Sequence, residues 1–328
     1  MNNLFDYQQK SPEKCKIIRS SLPQAKNEVL TIFQLETAFI FGNPPLLVIQ
    51  PGTPPLEESV NYNHLEKAIQ KNLHSAVTIE SVIYDCAFLA NWWCDGFFHW
   101  MLECLPRIAH LEQIGFTGKY IVPHLHEFVV SSAESLGVAP DRLIVYRKPV
   151  VAKNIYIFQR FPGRFLQDYP VTLHHIREKF LKNVTSNNNH LRIYNHRPTT
   201  RKVKNEQEVF AVLKKFSFDI IDMAALPLKE QIRIAANAEI MVGAHGAGMI
   251  HSWFMPHASF VVEFFSNKYV NYTLLPFIQH LSLRYIPLPE SLNGPQPEPL
   301  CNGFSTLHNI TVDTKVLELT LKNFLDRN

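Results

Sequence analysis

Two stretches of this chain carry residue types whose spacing could do chemistry. The first is Gly243-Ala244-His245-Gly246-Ala247-Gly248, which follows the apolar run Glu239-Ile240-Met241-Val242. An order of strand, small-residue loop and helix suits an anion of the diphosphate kind. Glycine lacks a Cβ, so the backbone can turn sharply and bring its N–H groups against phosphate oxygens. A helix starting near Met249 would direct the positive end of its dipole at the same point. His245 adds a donor there, and a charge when protonated. By itself the pattern also fits an ordinary strand-to-helix turn in which His245 caps or packs, because short glycine patterns are weak signals.

The second stretch is Phe97-Phe98-His99-Trp100-Met101-Leu102-Glu103-Cys104-Leu105-Pro106-Arg107. His99 and Glu103 are four residues apart, which on a helix puts them on one face. Either could take a proton from a hydroxyl, and a carboxylate beside an imidazole holds the ring in one tautomer. The plainer alternative is a histidine at a helix start and a surface glutamate. The His-Glu-x-x-His order of zinc hydrolases is absent.

Two further features bear on the glycine loop. Glu263 lies in the apolar run Phe260-Val261-Val262-Glu263-Phe264-Phe265. A carboxylate at the C-terminal edge of a parallel sheet can meet ribose hydroxyls, or it can be a solvated strand-end charge. Upstream, Arg192, Arg197, Arg201, Lys202 and Lys204 crowd together. Arg197 and Arg201 are the candidates for neutralising a departing diphosphate, and the rest read as solvated surface. The glycine spacing differs from the dinucleotide fingerprint, which argues against a nicotinamide cofactor.

These residues need elements to hold them. Residues 28–50 alternate apolar and polar positions around Asn43-Pro44-Pro45, which predicts strands joined by a turn. A Pro-rich break follows at Pro51-Gly52-Thr53-Pro54-Pro55. Helical spacing runs from Phe97 to Ile114, with Pro106 expected to kink or divide it. Strands at 119–123, 142–146 and 150–158 with a helix at 127–136 give the rhythm of βαβ units and a parallel sheet. After a helix at 173–181 and the polar loop Ser186-Asn187-Asn188-Asn189, a second series begins. It comprises strands at 191–194, 218–221, 239–242 and 260–265, with helices at 206–215 and 228–236. A final helix is expected at 314–325.

A chain of 328 residues suits two domains, and a hydrophobic fraction of 46% belongs to a packed globular protein. The net charge of +3 does not favour bulk nucleic-acid binding. Without 18 consecutive apolar residues, no segment is expected to span a membrane. The start Met1-Asn2-Asn3-Leu4-Phe5-Asp6 lacks the features of a secretory signal. Cys15, Cys86, Cys94, Cys104 and Cys301 form no Cys-x-x-Cys pair, so neither a disulfide framework nor a zinc site is expected. A cytoplasmic location, the inner face of a membrane included, is the expectation.

The block His99–Arg107 and the loop Gly243–Gly248 together resemble glycosyltransferase family 61. That group includes bacterial capsular-polysaccharide enzymes and eukaryotic xylosyl- and N-acetylglucosaminyltransferases. Arg197 and Arg201 with Asn205-Glu206, and Val261-Val262-Glu263, are similar to further family blocks in the family's order. The resemblance covers roughly residues 90–320. The chain departs from the family at Gly96, where an asparagine is common, and at Ala244, where proline is common.

The resemblance implies an α/β chain of GT-B architecture, with two Rossmann-like domains facing an interdomain cleft. Residues 1–170 would form the acceptor side and residues 171–328 the nucleotide-sugar-binding side, its final helix reaching back to the first domain. The activity implied is inverting, metal-independent transfer from a nucleotide-sugar, UDP-linked by expectation, and no cofactor or metal is expected. The absence of any Asp-x-Asp motif agrees. The acceptor would be a glycan or another hydroxyl compound, lipid-linked included, in cell-surface or capsular polysaccharide synthesis with peripheral membrane association. Carried over by position, Glu103 and His99 are catalytic, while Arg197, Arg201, Gly243, His245, Gly246, Ala247, Gly248 and Glu263 bind the donor. The alternative is a non-catalytic nucleotide-sugar-binding or assembly protein on the same fold.

Overall fold

The computed structural model describes residues 4–42, 45–48, 56, 79, 81–90, 94–159, 169–182, 184, 190–272, 274–290 and 309–326. The Pro-rich break at 51–55, the polar loop at 186–189 and Cys301 lie outside them. The chain divides into two α/β units, Met1–Lys179 and Phe180–Asn328.

The first unit contains α1 (Leu4–Lys10), β1 (Cys15–Ser20), β2 (Leu30–Phe41), β3 (Leu46–Val48) and β4 (Ser81–Phe88). It continues with α2 (Leu105–Gln113), β5 (Lys119–Val122), α3 (Glu127–Ser135), β6 (Leu143–Val145), β7 (Val150–Phe158) and α4 (Pro170–Leu181), the last of which crosses the division. The sheet runs β1-β2-β7-β4-β5-β6, with β3 beside β2. Strands β7, β4, β5 and β6 are mutually parallel, whereas β1, β2 and β3 pair antiparallel. The sheet is therefore mixed, a parallel Rossmann-like half with an antiparallel annex. Phe33, Leu35, Ile40, Phe88, Ile121, Ile155 and Ile157 fill its core. Chain order reverses between β4 and β7, and in doubly wound sheets the crevice at such a reversal is where ligands bind. The chain leaving β4 leads to His99.

The second unit contains β8 (Leu191–Asn195), α5 (Glu206–Lys215), β9 (Asp219–Ile221), α6 (Leu228–Ala236) and β10 (Ala238–Ala244). A 3-10 helix at Ala247–Phe254 precedes β11 (Phe260–Phe265), α7 (Leu275–His280), β12 (Arg284–Pro289) and α8 (Thr314–Leu325). All five strands are parallel, in the order β12-β11-β10-β8-β9. Read from β8, the order is 2-1-3-4-5 in chain sequence, the flavodoxin-like arrangement whose switch point lies between its first and third strands. Here that point is between β8 and β10.

The central strands β10 and β11 are buried on both faces, which explains why they read as continuous apolar runs. Tyr194, Val242, Ala244, Val262, Phe264 and Leu288 join one core with Val209 and Leu213 of α5 and Leu317 and Leu321 of α8. The final helix thus buries Leu317 and Leu321 in the core of its own unit. On the other face, register pairs Met241 with Val261 and Gly243 with Glu263.

The α-helix expected from Met249 is instead the 3-10 helix Ala247–Phe254. Its early carbonyls are claimed by side chains: His251 Nδ1 lies 2.6 Å from Gly248 O, and Ser252 Oγ donates to Met249 O at 2.8 Å. Side-chain bonds of this kind compete with the α-helical ladder.

Candidate functional site

The switch point of the second unit gathers the residues expected on the donor side. Beyond the end of β8, Arg197 donates from Nε to Thr200 O at 2.5 Å and from Nη2 to Thr200 Oγ1 at 2.7 Å. Arg201 donates from Nη1 to the carbonyl of His245 at 3.0 Å, and its guanidinium lies 5.1 Å from the Tyr269 ring centre. Both guanidinia converge on Gly246. A Cβ at that position would collide with Nη1 of Arg197 and stand 2.9 Å from its Cζ and 3.2 Å from Arg201 Nη1.

Gly246 has φ +155° and ψ −176°, a region open in practice to glycine alone. Arg201 itself sits at φ +54°, a left-handed conformation uncommon for a non-glycine residue and one that clusters at functional sites. Burial pulls both guanidinium pKa values below the ordinary arginine value, and the charge of Arg201 lowers that of Arg197 further. Arginine keeps its proton in proteins. Two half-buried cations side by side are what an anion's charge offsets.

Behind the loop, His245 Nδ1 lies 2.7 Å from Glu263 Oε1, and both side chains are buried, at 8% and 1% exposure. The tautomer follows from the partner: a carboxylate accepts, so Nδ1 carries the hydrogen. The imidazole stacks on Phe265, with ring centres 4.8 Å apart. Tyr285 of β12 donates its hydroxyl to Glu263 Oε2 at 2.6 Å. Glu263 therefore stands inside β11 rather than at its end, with one neighbour on each oxygen.

The remaining loop glycines make room for Asn195. A Cβ on Gly248 would come 3.0 Å from Asn195 Nδ2, and one on Gly243 would meet Met249 Sδ at 2.8 Å and Asn195 O at 3.3 Å. Asn195 Nδ2 donates to Gly248 O at 2.8 Å, tying the end of β8 to the 3-10 helix. Ala247 opens that helix. The arginine loop is anchored from behind. Asn205 Nδ2 donates to Val312 O at 2.8 Å, its Oδ1 accepts from Val312 N at 3.0 Å, and Val203 bridges Ile310. Arg192 and Lys204 take no part in the site: Arg192 Nε lies 2.6 Å from Glu239, and Lys204 Nζ 3.9 Å from Glu290.

In the first unit, His99 Nδ1 lies 2.7 Å from Glu103 Oε1, with the two side chains 34% and 15% exposed. Pro106 does not divide the helix. The turn Trp100–Cys104 widens to a π-helix, in which Leu105 N–H bonds Trp100 O, and α2 continues from there. Proline lacks an N–H and crowds the carbonyl four residues back, and one wide turn absorbs both effects. Single π-turns of this kind recur at functional sites. Trp100 Nε1 donates to Ser132 Oγ at 2.8 Å, which pins the turn to α3.

Sequence reasoning missed Asn195, Thr200, Tyr269 and Tyr285. Asn195 was findable as the polar residue closing an apolar strand next to the switch point. Tyr285 gave no local signal, because its partner lies 22 residues away on a neighbouring strand.

A family model described as Glycosyltransferase 61 matches residues 97–262, about half of the chain. An "EGF domain-specific O-linked N-acetylglucosamine transferase" from Drosophila melanogaster is 33% identical over 69 residues, covering 20% of this chain and 13% of that protein. A "Protein O-linked-mannose beta-1,4-N-acetylglucosaminyltransferase 2" from Takifugu rubripes is 30% identical over 102 residues, covering 28% of this chain and 17% of that protein. The chain thus aligns with less than a fifth of the length of either relative.

Proposed function

This chain belongs to glycosyltransferase family 61, and on that premise we propose that it transfers N-acetylglucosamine from its UDP-linked form to a glycan or other hydroxyl acceptor, with inversion and without a bound metal. The observation that carries the reading is the convergence of two half-buried guanidinia on a glycine-only turn at the sheet switch point. That arrangement suits a diphosphate, and a buried His245–Glu263 pair stands beside it. The choice of sugar rests on the two relatives, both N-acetylglucosamine transferases by name.

In the proposed reaction, Glu103 takes the proton from the acceptor hydroxyl, with His99 holding or replacing it. The acceptor oxygen bonds to the anomeric carbon as the bond from that carbon to the diphosphate oxygen breaks. The electron pair leaves with UDP, whose developing charge is met by Arg197, Arg201 and the N–H groups of the Gly246–Gly248 turn. Electrostatic help at a developing charge is commonly the largest single term in catalysis. Glu263 serves the donor side through His245.

The test pairs calorimetry with UDP against an assay of UDP-N-acetylglucosamine turnover, with and without glycan acceptors. Binding with slow hydrolysis or transfer supports the proposal. Binding with no turnover under any acceptor would move the chain to a non-catalytic nucleotide-sugar-binding role. No binding of any nucleotide-sugar would remove the reading.

A further inference from the structure

Glu263 is the only acid in a fully buried strand, Phe-Val-Val-Glu-Phe-Phe, at 1% exposure. A buried carboxylate needs hydrogen-bond partners on its oxygens, and Glu263 has one on each. Oε1 meets His245 Nδ1 at 2.7 Å, and Oε2 accepts from Tyr285 at 2.6 Å. The sheet register explains the second contact. Tyr285 stands opposite Val261, two residues before Glu263 and on the same face, the diagonal position from which a long side chain reaches across. On the other side of β11, Glu263 is opposite Gly243, and the chain of β10 brings His245 round from there.

We propose that Tyr285 is a positioning residue for glycosyl transfer: its hydroxyl fixes the Glu263 carboxylate, which in turn fixes the His245 imidazole with Nδ1–H inward. Nε2 is then the ring nitrogen offered to the diphosphate held by Arg197 and Arg201. Tyr285 lies outside the segment 97–262 that matches the family, so the role is read from this chain alone. Burial and the Glu263 charge push the ionisation of the Tyr285 hydroxyl far above its ordinary value, so it remains a donor at every working pH. The inference rests on the donor-site reading of the glycine loop.

Tyr285→Phe keeps the ring and removes the donor. We therefore expect kcat on UDP-N-acetylglucosamine to fall about tenfold or more with donor KM within about twofold. In a Glu263→Gln background the same change should cost less than about twofold, because the charge it serves is gone. Nitrogen-detected NMR of histidine-labelled protein reads the tautomer without any donor. His245 should be an Nδ1–H species in the parent and a mixture in Tyr285→Phe. Unchanged kcat with an unchanged tautomer would overturn the proposal. So would an equal loss of kcat in both backgrounds accompanied by a falling melting temperature, since that is what a purely structural residue gives. If the parent protein turns over no nucleotide-sugar, the transferase reading fails while the tautomer comparison still decides the role of Tyr285.

Discussion

Replacing Gly246 by alanine should separate what the glycine does for the fold from what it does for the ligand. At φ +155° and ψ −176° an alanine backbone is strained, and residues held in such regions cost of order 1–3 kcal/mol. For a domain of this size that lowers the melting temperature by about 2–4 °C per kcal/mol. The new Cβ would also collide with Nη1 of Arg197. That guanidinium is the end of a flexible side chain and can swing away at little steric cost. The swing, however, gives up its bonds to Thr200 and its approach to the turn. Losing one charge-assisted contact to a phosphate is worth about 1.5–3 kcal/mol, so the Kd for UDP should rise about 10- to 150-fold. Gly248→Ala is the internal control. Its Cβ would come 3.0 Å from Asn195 Nδ2, with no left-handed φ to strain, and binding should weaken far less. Calorimetry with UDP and a melting curve on each variant make the measurement. A Gly246→Ala protein that melts lower yet binds UDP within twofold of the parent would refute the argument that the turn and Arg197 form the diphosphate site.

The other expectations are as follows. Glu103→Gln should reduce turnover by about a hundredfold or more while leaving UDP affinity within twofold; near-parental turnover in a steady-state assay would exclude it as the base. Arg201→Gly should relieve the left-handed backbone at φ +54° but lose the Nη1 contact to His245 O. The two effects nearly cancel in stability, at about 1 kcal/mol each, so the melting temperature should hold while UDP affinity drops at least tenfold. Buried His110 and His251 are both pushed down to about 4 by desolvation, against about 6.5 in the unfolded chain. Between those values the unfolded state binds more protons, so stability present above pH 6.5 is lost as pH falls toward 4. The slope is about 1.4 kcal/mol per pH unit for each histidine. Urea unfolding at pH 7 and pH 5 reads it, and equal midpoints at the two pH values would contradict the burial argument.

Much of the scaffold was legible because its signals are local. The strand Phe260–Phe265 and the helix Glu206–Lys215 announce themselves by continuous and 3.6-residue apolar patterns. The small-residue loop after Val242 was legible as a tight turn, since glycine's missing Cβ is a property of the sequence. What could not be read depends on register and distance. The bond of Tyr285 to Glu263 needs the alignment of β12 on β11, and the clamp of Asn205 on Val312 spans 107 residues. Pro106 signalled a disturbance, but whether a helix breaks or widens is decided by tertiary partners such as Trp100 and Ser132. The 3-10 form of Ala247–Phe254 was hidden for a similar reason, because the side chains that take its carbonyls include Asn195 of another strand.

The clamp between Asn205 and Val312 has a practical bearing on how this protein is handled. Residues 309–312 hold the backbone of the arginine-bearing loop as a missing strand would. Shortened versions of the chain ending before residue 309 would keep every side chain named at the candidate site and still be poor material for ligand screening, because the frame behind that loop would be gone. Tags and fusion partners are better placed beyond α8, leaving that splint in register.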